Sequence, residues 1–161
     1  MKRLLLQLMA VLLSGVMHAQ IQIKPTQPKQ QLKTHHVGEK WGGGIVILVD
    51  PHGHGLIVES LDLNGSNWSW DTAREIMKLN CVHSTDGAKF SDWRLPTKDE
   101  LNRIYLQKNI IGGFSSDSYW SSSCSFEESI AHVAWYQNFV NGNQDTGNKP
   151  IPFRVRAVRA F

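Results

Sequence analysis

The sequence predicts an α+β domain, and three observations carry that reading. Two β-branched apolar runs, IVILV at 45–49 and LIVES at 56–60, flank the turn DPHGHG, which is a hairpin signal. Two capping-box patterns, Thr72 with Glu75 and Thr97 with Glu100, each open a stretch with helical apolar spacing. From Tyr119 onward YWSSS, HVAWYQNFV and FRVRAVRAF carry β-formers separated by Gly, Asn, Asp and Pro. The helices are grouped and not interleaved between strands, which makes the order that of an α+β domain.

Taken in chain order, residues 1–19 read as an export signal: Lys2 and Arg3 precede the apolar run LLLQLMAVLL, and a cut after Ala19 follows Ser14-Gly15. The run is too short to anchor in a bilayer, and the absence of cysteine at the cut argues against a lipid anchor. Removing Lys2 and Arg3 from the 17 basic residues leaves 15 against 14 acidic ones, a net charge of +1. No dense basic face remains for nucleic acid. The remaining length of about 140 residues suits one domain with a real core. Residues 20–40 are rich in Gln and Lys with two prolines and read as a flexible linker. His35-His36 is a solvated pair there, since no third metal ligand is near.

The folded part is expected to span 41–161. After the hairpin, in which His52 and His54 are turn residues, a helix carries Ala73, Ile76, Met77 and Cys81 on its apolar face. Pro96 stops the preceding chain, Leu101, Ile104 and Tyr105 share the face of a second helix, and Gly112-Gly113 ends it. At least five short strands complete the pattern.

Several stretches then resemble one family. GGGIVILVDPHGHGL, FSDWRLPTKDEL, YWSSS, AWYQNF with a following NGN, and RVRAVRAF are similar to the Lcl C-terminal domain family, named from collagen-like bacterial adhesins. The most specific piece is Trp93-Arg94-Leu95-Pro96-Thr97 followed by Glu100-Leu101. The resemblance implies a C-type-lectin-like architecture, shared with formylglycine-generating enzymes: two helices packed on a small mixed, mostly antiparallel sheet with long loops. It makes Trp93, Trp120 and Trp135 core residues and implies an exported ligand-binding protein. The Asn-rich VNGNQDTGNK before VRAVRAF also resembles the hypervariable ends of surface proteins diversified by retroelements. Many relatives carry cysteine where Ala157 stands here, which makes Cys124 a candidate replacement partner for Cys81. Export favours a disulfide between them, while Cys81 on an apolar helix face equally fits a buried free thiol.

Catalysis finds no support. The copper-binding thiols of formylglycine-generating enzymes must sit together in one cleft, whereas Cys81 and Cys124 lie on different predicted elements. No GxSxG, HExxH or P-loop spacing occurs, and His83 and His132 lack a nucleophile partner in the sequence. Asn143 and Asp145 alternate as metal oxygens can, but two ligands fall short of the six to eight that calcium takes. Neither a metal nor a cofactor is expected. Arg154 and Arg156 fall on one strand face and Arg159 on the other, so they do not converge on an anion. Arg94 and one closing arginine are expected to pair with acids such as Asp92 or Asp99. Trp68 and Trp70, two apart, are either core or leave one ring exposed as a sugar-stacking platform.

The stretch AWYQNFVNGNQDTGNK supplies the candidate binding surface. If Trp135 and Phe139 face inward, Tyr136, Asn138 and Val140 face outward and lead into Asn141, Asn143, Gln144, Asp145 and Asn148. An exposed tyrosine gives contact area with few rotors to freeze, and amides give adaptable hydrogen bonds. The alternative is an ordinary turn, because Asn and Gly favour turns. The expectation is a secreted, periplasmic or cell-surface module, non-catalytic and adhesin-like, recognising a glycan or a protein. A structural subunit of a fimbrial or envelope assembly, docking through the Gln-rich segment and an edge strand, is the alternative.

Overall fold

The computed structural model describes residues 34–124 and 132–161. The expected signal segment and most of the expected linker lie outside the described residues. Among the described residues seven strands and three α-helices follow in order: β1 (Lys40–Trp41), β2 (Gly44–Val49), β3 (Gly55–Glu59), α1 (Trp70–Ile76), α2 (Lys98–Leu106), α3 (Lys108–Ile111), β4 (Ser118–Cys124), β5 (Val133–Asn138), β6 (Gln144–Asn148) and β7 (Val158–Ala160). They form an α+β fold with two antiparallel sheets, in the orders β1-β2-β3-β7 and β4-β5-β6. The resemblance implied one small mixed sheet; the structure has two, and a parallel contact occurs at the isolated bridge between Tyr119 and Arg154.

The continuous apolar run of β2 is explained by burial on both faces. Ile45 and Ile47 pack in a core with Leu56, Val58, Leu101 and Ile104, whereas Val46 and Ile57 pack in a second core with Trp70, Ala73, Met77 and Trp93. Helix α2 therefore covers one face and α1 the other. A two-residue turn with positive φ at Gly42 and Gly43 (60° and 89°) folds β1 back on β2. A Cβ on Gly43 would come within 2.8 Å of the Phe90 ring, so the turn also needs glycine for close packing.

Helix α2 begins as expected: Thr97 accepts from the Glu100 backbone at 3.2 Å while the Glu100 carboxylate accepts from the Thr97 backbone at 2.8 Å. Such a cap is worth about 1 kcal/mol. Helix α1 differs from expectation, since Ser69 and not Thr72 is its cap, and Thr72 N donates to Ser69 Oγ. The helix stops at Ile76, so Cys81 lies beyond it in a 3-10 turn, Asn80–Val82, and is exposed.

The closing segment 153–161 is not one strand. It is the seam between the sheets. Trp120 N donates to Arg154 O and Arg154 N to Ser118 O beside β4, then Glu59 N donates to Ala157 O and Arg94 exchanges both backbone bonds with Val158. At the other end of the domain the chain is packed before residue 41: the buried His35 ring stacks on Trp41 at 3.8 Å and bonds Glu39 at 3.1 Å. His35 is thus not a solvated side chain. No helix among the described residues is long and apolar enough to cross a membrane.

Candidate functional site

The hairpin joining β5 to β6 holds most of the residues expected to bind. Its turn is built by its own amides. Asn138 Oδ1 accepts from Val140 N at 2.8 Å and Asn141 N at 3.3 Å, and Asn141 Oδ1 accepts from Asn143 N at 3.0 Å. Gly142, at φ 83°, lies so close to Tyr105 that a Cβ would approach the ring to 2.5 Å. Beneath the turn, Gln137 is fully buried and its Nε2 donates to Asn102 Oδ1 at 2.9 Å and to Gly142 O at 3.0 Å. Gln144 Nε2 donates to Lys98 O at 2.9 Å. Two amides therefore fasten the hairpin to α2, and its outer residues Asn141, Asn143, Asp145 and Asn148 stay exposed. Asp145 Oδ1 accepts from Thr146 N at 2.7 Å, which leaves its other oxygen for a partner.

The expected alternation along β5 is inverted at Tyr136. Its ring is half-buried, 4.7 Å from Phe153 and 6.2 Å from Trp120, and it packs against the core that holds Trp120. Trp135, expected in the core, is half-buried like Tyr136 but packs in neither core cluster, with Lys98 Nζ 3.1 Å from its centroid. The physical reason is that both faces of this sheet are covered: Trp120 pairs with Tyr136 on one face, and Tyr119 with Gln137 on the face beneath α2. Phe139 is inward as expected, between Tyr105, Phe114 and Tyr119. Trp93, Leu95, Pro96 and Trp120 are buried, while Arg94 is exposed and makes a bidentate pair with Glu100 at 2.7 Å, not with Asp92 or Asp99. Burial works against the Glu100 charge, yet the guanidinium and the Thr97 N–H outweigh it and hold the carboxyl below its usual range. Trp68 is half-buried and Trp70 buried, their indoles bonded to Leu63 O and Ser121 O.

The closing arginines meet carboxylates and carbonyls. Arg156, fully buried, donates from Nε to Asp62 Oδ1 at 2.8 Å and to the carbonyls of Glu59, Gly112 and Gly113, with its guanidinium 4.0 Å over Phe114. Tyr119 OH donates to Asp62 Oδ2 at 2.9 Å, and burial together with the Asp62 charge pushes its hydroxyl up to about 12. Arg154 reaches the same Asp62 at 4.0 Å and Asp117 at 3.5 Å, whereas Arg159 donates to Asp92 at 2.7 Å. Arg159 is therefore apart from the other two, as expected, and Asp92 is the acid it takes.

Of the two alternatives for the cysteines the structure has free thiols, Cys81 exposed in its turn and not buried on a helix face, and Cys124 half-buried at the end of β4. His52 and His54 donate their backbone N–H groups to Asp50 Oδ1 at 2.8 and 2.9 Å, which makes Asp50 the organiser of an exposed turn. Among the described residues no group of three or more His, Cys, Asp or Glu is placed to hold a metal.

One pair was not legible from sequence. Glu59 ends β3 inside the core, and its carboxylate takes His83 Nδ1 at 2.8 Å and the backbone N–H of Ser84, both side chains being 1% exposed. His83 Nε2 lies 2.8 Å from Met77 O, and the ring stacks on Trp93. Burial disfavours the imidazolium, but the carboxylate and the carbonyl outweigh it and raise the His83 value above 6.5. Both ring nitrogens are occupied, so His83 cannot serve as a general base. The one signal in the sequence was a Glu closing the apolar run LIVES.

Above this pair lies a cleft of about 720 Å³ between the Gly42-Gly43 hairpin and residues 83–90. A smaller one, about 380 Å³, opens beside Gly112 and Phe114.

Comparison with curated proteins finds no match. The family model described as the Lcl C-terminal domain matches residues 49–159, from the last residue of β2 through β3, the three helices, the WRLPT motif, the β4-β5-β6 sheet with its amide hairpin and the start of β7. The chain belongs to the Lcl C-terminal domain family.

Proposed function

We propose that this protein is an exported, non-catalytic ligand-binding module of the adhesin type, with a C-type-lectin-like fold, which recognises a glycan or a protein through the hairpin between β5 and β6. The observation that carries the reading is the division of labour among the hairpin's amides. Gln137 and Gln144 are used inward to hold it on α2, and Asn138 and Asn141 shape its turn. Asn143, Asp145 and Asn148 stand exposed on a loop whose geometry is already fixed. A pre-organised polar loop loses little conformational entropy when it binds, which is where affinity for hydroxyl-rich or peptide surfaces comes from. Tyr136 contributes from below, as the packed ring under the strand, and not as a contact. Two sheets with three helices and long irregular connections support the lectin-like reading. The export signal read from residues 1–19 supports a secreted, periplasmic or surface location.

The edge position of β6 favours a second reading, a structural subunit of a fimbrial or envelope assembly, because an open edge can accept a strand from a neighbour. Fractionation of the producing cell together with a glycan and host-protein array distinguishes the two. A monomer that captures a ligand supports the binding module. Recovery only in a polymer, with no capture on the array, overturns it in favour of assembly.

A further inference from the structure

We propose that the cleft between the β1–β2 hairpin and residues 83–90 is a second binding site, for a pyranose oligosaccharide. Its volume of about 720 Å³ lies within the roughly 300–1,000 Å³ typical of ligand clefts. The half-buried rings of Trp41 and Phe90 line it, and each is held by packing partners: His35 stacks on Trp41 at 3.8 Å and Phe161 meets it edge-on at 4.9 Å, while the Arg159 guanidinium sits 4.0 Å over Phe90. A flat ring fixed in this way offers contact area to the apolar face of a sugar without freezing rotors.

The polar part of the lining suits hydroxyls. Lys89 Nζ and Asp86 Oδ1 form an exposed pair at 2.7 Å, so one point of the rim presents a donor and an acceptor side by side, and Thr85 adds a hydroxyl that is both. A sugar diol needs that combination. Among the described lining residues only Lys40 and Lys89 supply exposed positive charge, with Asp86 against the second, which is too little for a phosphate backbone.

The walls are rigid. The buried pair of Glu59 and His83 fastens one to β3, with Ser84 N donating to the same carboxylate, and Gly43 packs directly on Phe90 across the cleft's end. The occupied nitrogens of His83 leave binding without chemistry. Lys40, Trp41 and Gly42–Gly44 precede residue 49, so this wall lies outside the matched residues, while the wall of residues 83–90 lies within them. It shares no residue with the β5–β6 hairpin and does not depend on that reading.

The test is calorimetric titration of the intact exported chain with three defined probes: cellohexaose, chitohexaose and hexagalacturonate. Saturable binding of at least one is expected. Asp86→Ala/Lys89→Ala, which alters exposed side chains only, should weaken it about tenfold or more, and Trp41→Ala should abolish it. Asn143→Ala/Asp145→Ala/Asn148→Ala should leave it unchanged. Binding of the neutral probes alone assigns recognition to the rings and the rim pair, and binding of the acidic probe alone brings in Lys40; either supports the site. No binding of any probe overturns it, as does binding that survives the rim double variant or falls instead with the hairpin variant.

Discussion

Two polar regions of the molecule behave in opposite ways. Around Arg156 the polar groups are turned inward: a fully buried guanidinium meets Asp62 and three backbone carbonyls, and Tyr119 completes the carboxylate. In the β5–β6 hairpin a similar density of polar groups is split, with Gln137 and Gln144 inward and Asn143, Asp145 and Asn148 outward. The first region joins the two sheets and has nothing left to offer a ligand. The second is held by part of its polar complement and displays the rest. Richness in polar side chains therefore does not mark a binding surface. What marks it is the polar remainder after internal bonds are made.

That comparison can be broken or sharpened by substitution, and the largest effect belongs to the buried arginine. Arg156→Ala leaves Asp62 buried without its principal partner and should cost about 3–5 kcal/mol, visible as a large drop in the urea midpoint. Arg156→Lys should recover little, since a point charge cannot serve a carboxylate and three carbonyls from one plane. Next comes Gln137→Leu, which removes the donor to Asn102 and Gly142 and should cost about 1–3 kcal/mol while raising hydrogen exchange within the hairpin.

A pH dependence follows from His83 in its place beside the Glu59 carboxylate. The folded His83 value lies above 6.5, so its contribution is fully present below the ordinary imidazole value and is lost as pH rises through the raised folded one. Denaturation followed from about pH 5 to about 9 should show stability falling over that upper range, and His83→Gln should flatten the curve. A smaller effect is expected at Arg94, which is partly exposed: Arg94→Ala should cost less than about 1 kcal/mol in a thermal melt, because solvent screens its pair with Glu100.

Much of the fold was legible because local signals agreed with the tertiary outcome. Residues 45–47 and 56–58 of the β-branched runs are buried on both faces, and Thr97 with Glu100 starts α2 as the motif states. Helix α1 was misplaced at its start because Thr72-x-x-Glu75 imitates a capping box while Ser69 does the capping. The closing stretch read as one strand because its composition is uniform, but only Val158–Ala160 pairs within a sheet; its earlier residues bridge to β4, β3 and Trp68. The candidate site was legible in its amides and not in its aromatics. Tyr136 was assigned outward by alternation from Trp135, an argument that holds only when one sheet face meets water. Here both are covered, by α2 and by the core around Trp120, so alternation sorts residues between two interiors. Gln137 escaped for the same reason: an amide between aromatics looks like surface until a helix side chain and a turn carbonyl satisfy it.

The most direct measurement sets array capture beside the melting temperature for Asn143→Ala/Asp145→Ala/Asn148→Ala in the full chain. The melting temperature should stay within the shift expected of about 0.5 kcal/mol, because these side chains are exposed, while capture of the ligand found for the unmodified protein should disappear. Full capture at an unchanged melting temperature would contradict the account, since the displayed amides would then have no part in recognition.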